Sequence, residues 1–347
     1  MSEALVRFNH VDIVFGDDPQ RALPLIDAGE TREVIAKETG QTLGVAGCDL
    51  EVSAGEVLVI MGLSGSGKST LLRAVNALNP VVRGSVSVRM SSEQEWRDPH
   101  RCTKAQLREL RLDWVSMVFQ QFALLPWRTV AENVGFGLEL AGQQKRTANT
   151  QIHQQLELVG LSEWADKKVH ELSGGMQQRV GLARAFATDA PILLMDEPYS
   201  ALDPLIRSRL QDELIALQSQ LRRTILFVSH DLDEAMKIGS RIAIMEGGRL
   251  VQVGTPQEIF ANPANQYVAD FVEHMNPLTI LRARHVMQPT DTLPAEHANA
   301  VQVSPDANLS DIMREQLASE LPVYVVSENQ VMGKLDAADV HRALLRV

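Results

Sequence analysis

The segment Glu56-Val57-Leu58-Val59-Ile60-Met61-Gly62-Leu63-Ser64-Gly65-Ser66-Gly67-Lys68-Ser69 sets the terms on which the rest of this 347-residue chain is read. Its first six residues are mostly apolar and β-branched and run into a glycine, the pattern of a short strand buried on both faces. Beyond the glycines, Lys68 to Leu78 reads as a helix. Between strand and helix stands G-x-x-x-x-G-K-[ST], which carries chemical meaning in that setting. Glycine frees the backbone to turn its N–H groups inward, so the loop of Gly62, Ser64, Gly65, Ser66 and Gly67 is expected to cradle phosphate oxygens. Lys68 is then placed to reach the terminal phosphates of a nucleotide and Ser69 to hold Mg²⁺, with Thr70 in the same turn. The helix that starts there turns its positive end to the anion.

Two further strand ends point to the same crevice. Ile192-Leu193-Leu194-Met195-Asp196-Glu197 is an apolar strand closing in two carboxylates, at the carboxyl end of a parallel sheet, where ligands bind. Alone, such acids read as solvated surface. Beside a phosphate loop, Asp196 is expected to orient Mg²⁺ through water and Glu197 to polarise the attacking water. The strand Thr224 to Val228 runs into Ser229-His230-Asp231, which sets His230 at another carboxyl end, able to donate to a terminal phosphate.

Bulk properties narrow the classes. At 347 residues, 45% hydrophobic and 22% charged, the chain suits a main domain plus a smaller one. A formal charge of -11 argues against nucleic acid as a partner, since phosphate neutralisation needs clustered Lys and Arg. The 2 cysteines, Cys48 and Cys102, are far apart and outside any CxxC spacing, which leaves a disulfide scaffold or zinc site without support and fits a reducing compartment. No apolar run approaches the ~20 residues of a membrane span, and Met1-Ser2-Glu3 lacks a leader pattern, so any membrane role is expected to be peripheral.

Along the chain, Val6 to Phe15 alternates as a strand, and Pro19 to Gly40 turns helical, with Ile26, Val34 and Ile35 as expected core positions. Gly84 to Met90 reads as strand, Thr103 to Leu112 as helix and Val115 to Phe119 as buried strand. Thr129 to Gly142 and Gln151 to Val159 read as amphipathic helices separated by a polar gap, suggesting a helical subdomain at about residues 121–180. Strands return at Ile192 to Met195, Thr224 to Val228 and Arg241 to Met245. Pro256 to Val272 is helix-like, and Pro277, Pro289 and Pro294 mark a linker placed at 276–284. The tail reads strand, helix (Leu309 to Ser319), two strands (Pro322 to Ser327, Val331 to Leu335) and a helix from Ala337, a small α+β unit.

Leu172-Ser173-Gly174-Gly175-Met176-Gln177-Gln178-Arg179 precedes a helix running to about Thr188, so Ser173 and the Gly174 and Gly175 amides form a second anion site. Here the chain resembles the ABC ATPase family, whose signature motif this is. The resemblance spans about residues 5–275 and implies a P-loop NTPase cassette of α/β class with antiparallel β and helical subdomains. It implies ATP with Mg²⁺, and it implies that Ser173, Gly174, Gly175 and Gln177 close over the γ-phosphate of nucleotide held by a second copy of the chain. Gln120, in Met117-Val118-Phe119-Gln120-Gln121, matches the Q-loop glutamine that contacts Mg²⁺ or water. Ser200-Ala201-Leu202-Asp203 matches the D-loop, and Phe15 fits the aromatic that stacks on adenine.

About thirty residues, Asp17 to Val45, separate the first two strands, where most importer ATPases have a short turn. That insertion resembles the quaternary-amine importers, as do Pro19-Gln20-Arg21-Ala22, Thr39-Gly40-Gln41-Thr42-Leu43-Gly44-Val45 and Phe122-Ala123-Leu124-Leu125-Pro126-Trp127-Arg128-Thr129-Val130, with Trp127 in place of a frequent His. The tail, about residues 285–347, resembles one CBS motif through Ser304-Pro305-Asp306-Ala307-Asn308-Leu309, Glu320 to Val326 and Gly333-Lys334-Leu335-Asp336. A single copy favours a choline system over the betaine importers with two, and implies pairing with the tail of a second subunit, whether for regulation or simply for dimerisation. The implied setting is the cytoplasmic face of a bacterial cell membrane, beneath a permease served by a substrate-binding protein, with the helical subdomain as docking groove. Two other readings compete. A non-transport ABC ATPase of translation or repair usually carries paired cassettes or long coiled coils, and a P-loop kinase has no need of Ser173 to Gln177.

Overall fold

The computed structural model describes residues 3–90, 95–273, 277–297, 299–318, 321–328 and 330–345. The chain divides into two compact units, Met1–Val253 and Gly254–Val347.

In the first unit, β1 (Ala4–Phe15), β2 (Thr42–Ser53), β4 (Arg83–Arg89) and β5 (Trp96–Arg97) form an antiparallel sheet in the order β2-β1-β4-β5. The second sheet has the order β10-β9-β3-β8-β7-β6, from β3 (Val57–Met61), β6 (Val115–Val118), β7 (Ile192–Asp196), β8 (Thr224–Val228), β9 (Arg241–Glu246) and β10 (Arg249–Gly254). The pairs β9-β3, β3-β8, β8-β7 and β7-β6 are parallel. Every residue of β3, β7 and β8 is buried, which is why these strands read as unbroken apolar runs and not as alternation. Leu58, Ile60, Leu194, Leu226 and Val228 pack in one core with Leu71 and Leu72 of α3 (Lys68–Leu72) and with Val6, Phe8 and Val86 of the antiparallel sheet.

The insertion is helical as expected: a 3₁₀ turn at Pro19–Ala22, then α1 (Leu23–Asp27) and α2 (Arg32–Thr39). It has a small core of its own, in which Ile26 and Ile35 pack with Val14, Leu43 and Ala46. Burial of each isoleucine contributes about 2 kcal/mol. Val34 is only half-buried, because neighbouring helical positions point about 100° apart and Ile35 takes the core direction. Thr31 caps α2 by accepting from the Val34 N–H at 3.4 Å, and Gly40 closes it at φ 71°.

Several expected helices are shorter or split. α3 is regular only to Leu72; then Ala74, Val75 and Ala77 bond three residues back, the Ala74 carbonyl also meets the His100 ring, and the Asn76 and Ala77 carbonyls receive Arg111. Thr103 to Leu112 becomes α4 (Lys104–Glu109), capped by Thr103 and Gln106, running into a wider turn at Leu110–Trp114. Thr129 to Gly142 is two pieces, α5 (Val130–Val134) and α6 (Phe136–Leu140), parted at Gly135. α7 (Lys145–Leu158) starts six residues ahead of the expected Gln151, so the polar gap is mostly helix. Its polar start carries no apolar stripe, and that hid it. α8 (Gly174–Phe186), α9 (Pro204–Leu221) and α10 (Leu232–Ile238) complete the unit.

The second unit opens with α11 (Pro256–Ala261) and α12 (Gln266–Glu273), both within the stretch to 275 expected to belong to the ATPase. In place of an open linker, α13 (Pro277–Ile280) and α14 (Ala283–Val286) lead to the sheet β11-β14-β13-β12. Its strands are Gln288–Pro289, Gln330–Leu335, Val323–Ser327 and Gln302–Val303 in that order, flanked by α15 (Leu309–Ala318) and α16 (Ala337–Leu345). Ser319, the expected end of α15, lies outside the described residues. Among the described residues no helix is long and apolar enough to cross a membrane.

Candidate active site

Because β3, β8, β7 and β6 are neighbours running the same way, their carboxyl ends meet along one edge. That edge carries, in order, the phosphate loop, Ser229-His230, Asp196-Glu197 and Phe119-Gln120. An open parallel sheet binds ligands in just this position.

The loop is built tightly. A Cβ at Gly62, φ 142°, would lie 2.1 Å from the Met245 carbonyl oxygen, and one at Gly67, φ 101°, 2.4 Å from that of Gly44. Only glycine fits either place. Lys68 is buried, and its Nζ donates to the Gly62 and Leu63 carbonyls at 2.9 and 3.0 Å. Burial lowers its pKa, against the pull of the Glu197 and Asp196 carboxylates. Ser66 is 4% exposed, and its Oγ is buried without a hydrogen-bond partner among the described residues. A buried hydroxyl and a buried ammonium in one glycine loop are the kinds of donor a phosphate needs.

Asp196 is completely buried at the end of β7. Ser69 Oγ donates to its Oδ1 at 2.6 Å, while Arg73 grips Oδ2 through Nε at 3.1 Å and through a terminal nitrogen at 2.8 Å. Ser69 and Asp196 thus stand together as an oxygen pair suited to Mg²⁺, which takes one or two protein ligands and leaves its other positions to phosphate and water. Among the described residues there is no cluster of three or more His, Cys, Asp or Glu that holds a metal by itself. Gln120, expected to contact Mg²⁺ or water, donates from Nε2 to Glu197 Oε2 at 2.9 Å.

Glu197 sits at φ 46°, a left-handed conformation unusual for glutamate. Its backbone is pinned: the N–H donates to the Val228 carbonyl at 3.1 Å, and its carbonyl accepts from Ser200 Oγ at 3.1 Å and Gln178 Nε2 at 3.3 Å. His230 Nδ1 lies 3.5 Å from Glu197 Oε2, so one carboxylate oxygen faces both Gln120 and His230. Strain held in place by several bonds at a strand end is characteristic of functional sites.

Ser173 caps α8 by accepting from the Met176 N–H at 3.3 Å, and Ser173 and Gly174 are exposed. The helix therefore offers an open, positive N-terminus. Gln177 turns away from it and donates to the Val169 and Leu172 carbonyls at 3.1 Å each, shaping the loop. Asp203 caps α9 by accepting from the Ile206 N–H at 3.1 Å. Phe15 is 37% exposed at the end of β1 and flanks Gly44 together with Thr70.

The ABC transporter family model matches residues 45–200, a span that holds the phosphate loop, Gln120, the Ser173 helix and both carboxylates. The glycine betaine transport ATP-binding protein OpuAA of Bacillus subtilis is 43% identical over 345 residues, covering 97% of this chain and 78% of that one. The chain belongs to the ABC ATPases of the glycine betaine importer family. The glycine betaine/proline betaine transport system ATP-binding protein ProV of Escherichia coli is 49% identical over 277 residues, 80% of this chain and 68% of that protein. The trimethylamine N-oxide transport system ATP-binding protein TmoW of Ruegeria pomeroyi is 39% identical and is covered to 98%. A dimeric ATP-binding cassette, MJ0796, bound to ADP and Pi, superposes with a TM-score of 0.62 at 27% identity, covering 72% of this chain and 98% of that one.

In this ABC ATPase, three polar residues beside the expected set hold the site together. Arg73 lies four positions after Ser69, a helical spacing that puts both on Asp196, and it was legible on that ground. Gln178, 1% exposed, bonds the Glu197 carbonyl and the Ala201 N–H at once, joining the signature helix to β7 and the D-loop. Glu234 receives Ser229 Oγ at 2.5 Å and Gln211 Nε2 at 3.0 Å, bracing the turn that carries His230. Burial raises its pKa above the usual carboxylate range, more than those hydrogen bonds lower it. Neither Gln178 nor Glu234 has a spacing signal, because each acts across elements distant in sequence.

The orphaned Ser66 hydroxyl gives a direct test. In the nucleotide-free protein Ser66→Ala removes an unsatisfied buried group, so the melting temperature should stay level or rise. Affinity for ATP should fall by about 1 kcal/mol, roughly fivefold, when measured by titration. A destabilised variant with unchanged affinity would contradict the role given to Ser66.

Proposed function

We propose that the chain hydrolyses ATP at sites shared between two copies and thereby energises import of a methylated-amine solute of the glycine betaine class through a membrane permease. The observation that carries the hydrolytic reading is Glu197, held by Gln120 and His230 beside the Ser69–Asp196 pair. The phosphate loop takes the triphosphate, Lys68 neutralises the terminal phosphates, and Phe15 stacks on adenine. Ser69 and Asp196 would hold Mg²⁺, which would supply charge neutralisation to the bound phosphates. Glu197 accepts the proton of the attacking water, and His230 donates to the γ-phosphate.

Sharing between copies rests on the exposed Ser173–Gly174 terminus, an anion site with no anion of its own chain assigned to it. The dimeric MJ0796 cassette supports it. Two such sites in a head-to-tail pair give closed two-fold symmetry. The segment around Trp127, itself 69% exposed, serves as the docking surface for the permease, and we infer that the chain works at the cytoplasmic side of the cell membrane. We assign the ATPase to about residues 1–275 and a CBS-like role to residues 285–347, which pair with their counterparts in the second copy.

Two solute readings are kept. OpuAA, ProV and their betaine relatives favour glycine betaine. TmoW, 39% identical over the whole of this chain, supports trimethylamine N-oxide as the other. Choline is the third solute to test. Uptake of the three labelled compounds in a strain lacking this chain separates them, and restoration should be greatest for glycine betaine.

Removing the base while keeping its shape tests hydrolysis. Glu197→Gln should bind ATP, lose at least about a hundredfold in turnover, and run as a dimer in light scattering when ATP is present. Parental turnover in that variant would show that another group is the base.

A further inference from the structure

The insertion between β1 and β2 contributes nothing to the catalytic set, yet it is fixed to its surroundings at several points. Arg83 donates to both oxygens of Asp27 at 3.0 and 2.6 Å while its Nε reaches the buried Asp12 at 2.6 Å. Arg249 donates to the Ile26 and Glu30 carbonyls at 3.3 and 3.4 Å, and the Asp18 N–H donates to Gln41 Oε1 at 3.1 Å. From this anchored base Arg32, the first residue of α2, extends a guanidinium N–H to the carbonyl oxygen of Gly65, in the middle of the phosphate loop.

Helix physics does not place Arg32 there. A cation in the first turn opposes the helix dipole, at a cost of about 0.3–1 kcal/mol. The gain lies in the contact made. The Gly65 carbonyl and the Ser66 N–H belong to one planar peptide, and that N–H donates to the Leu63 carbonyl at 3.1 Å. Arg32 therefore grips one end of a peptide whose other end closes the Leu63–Ser66 turn. The gripped peptide is followed by the buried Ser66 and preceded by Gly65 at φ 81°.

We propose that Arg32 is a positioning residue for the nucleotide site: it holds the Gly65–Ser66 peptide in the orientation that keeps the phosphate loop formed before ATP arrives. The inference rests on the reading of Gly62–Ser69 as the triphosphate site. Preorganisation of this kind acts on affinity. The group that attacks and the group that leaves are untouched, so turnover at saturating ATP is preserved.

The test compares Arg32→Ala, Arg32→Lys, Asp27→Ala and Lys68→Ala in the full chain, using a fluorescent ATP analogue in EDTA so that binding is read without turnover. Arg32→Ala should weaken binding about tenfold, the worth of one charge-assisted hydrogen bond. Arg32→Lys, which keeps the charge and a donor, should recover most of it. Asp27→Ala cuts an anchor of the insertion without touching the loop and should bind within about twofold of the parent. In steady-state assays Arg32→Ala should raise KM for ATP and leave kcat within about twofold. Arg32→Gln gives the same comparison if Arg32→Ala is too unstable to purify. Unchanged affinity in Arg32→Ala, or equal losses in Arg32→Ala and Asp27→Ala, overturns the proposal. If Lys68→Ala also binds normally, the phosphate-site reading itself fails, which sets that outcome apart.

Discussion

A wholly buried carboxylate, Asp196, is gripped on one oxygen by Ser69 and on the other by Arg73. A buried charge left without such partners is costly, and losing either of them exposes that cost. The contact therefore ties the helix after the phosphate loop to the end of β7, and the next residue, Glu197, inherits its position from that tie. Gln120 and His230 arrive from the strands on either side of β7, β6 and β8, and close on the same carboxylate. The phosphate loop, Asp196, Glu197, Gln120 and His230 are thus one connected object, assembled by the order of parallel strands.

Most of that object was legible in the sequence, because each part is local. Buried strands appear as apolar runs, and each catalytic group sits within three residues of a strand's end. The Gly62–Ser69 pattern and the Ser173 helix start carry their meaning in consecutive residues. What escaped was non-local: Gln178 joining three segments, Glu234 bracing the His230 turn, and the early start of α7, whose polar first turns give no apolar stripe to follow. Boundaries failed where tertiary contacts joined backbone bonding, as in the residues after Leu72, whose carbonyls meet His100 and Arg111. Gln177 stands where the motif implies a nucleotide contact, and its side chain bonds the Val169 and Leu172 carbonyls.

The insertion shows how a family feature acquires a physical role. Its own core and its bonds to Arg249 make it firm, and firmness lets a single side chain set a peptide plane in a neighbouring loop. The same logic runs through the site, where strained or orphaned groups, Glu197 at positive φ and the unpartnered Ser66, are tolerated because the surrounding bonds over-determine them.

The central claim is that each triphosphate is held by the phosphate loop of one copy and the Ser173 helix of the other. Complementation in a mixed dimer tests it most directly. Lys68→Ala and Ser173→Arg chains, each unable to retain ATP alone, are combined and the ATP retained per dimer is counted. Shared sites predict that mixing restores one retained nucleotide, because the heterodimer contains one intact Lys68–Ser173 pairing across the interface. No recovery on mixing, with heterodimers demonstrably formed, would mean that each chain closes its own site, and the account would be wrong.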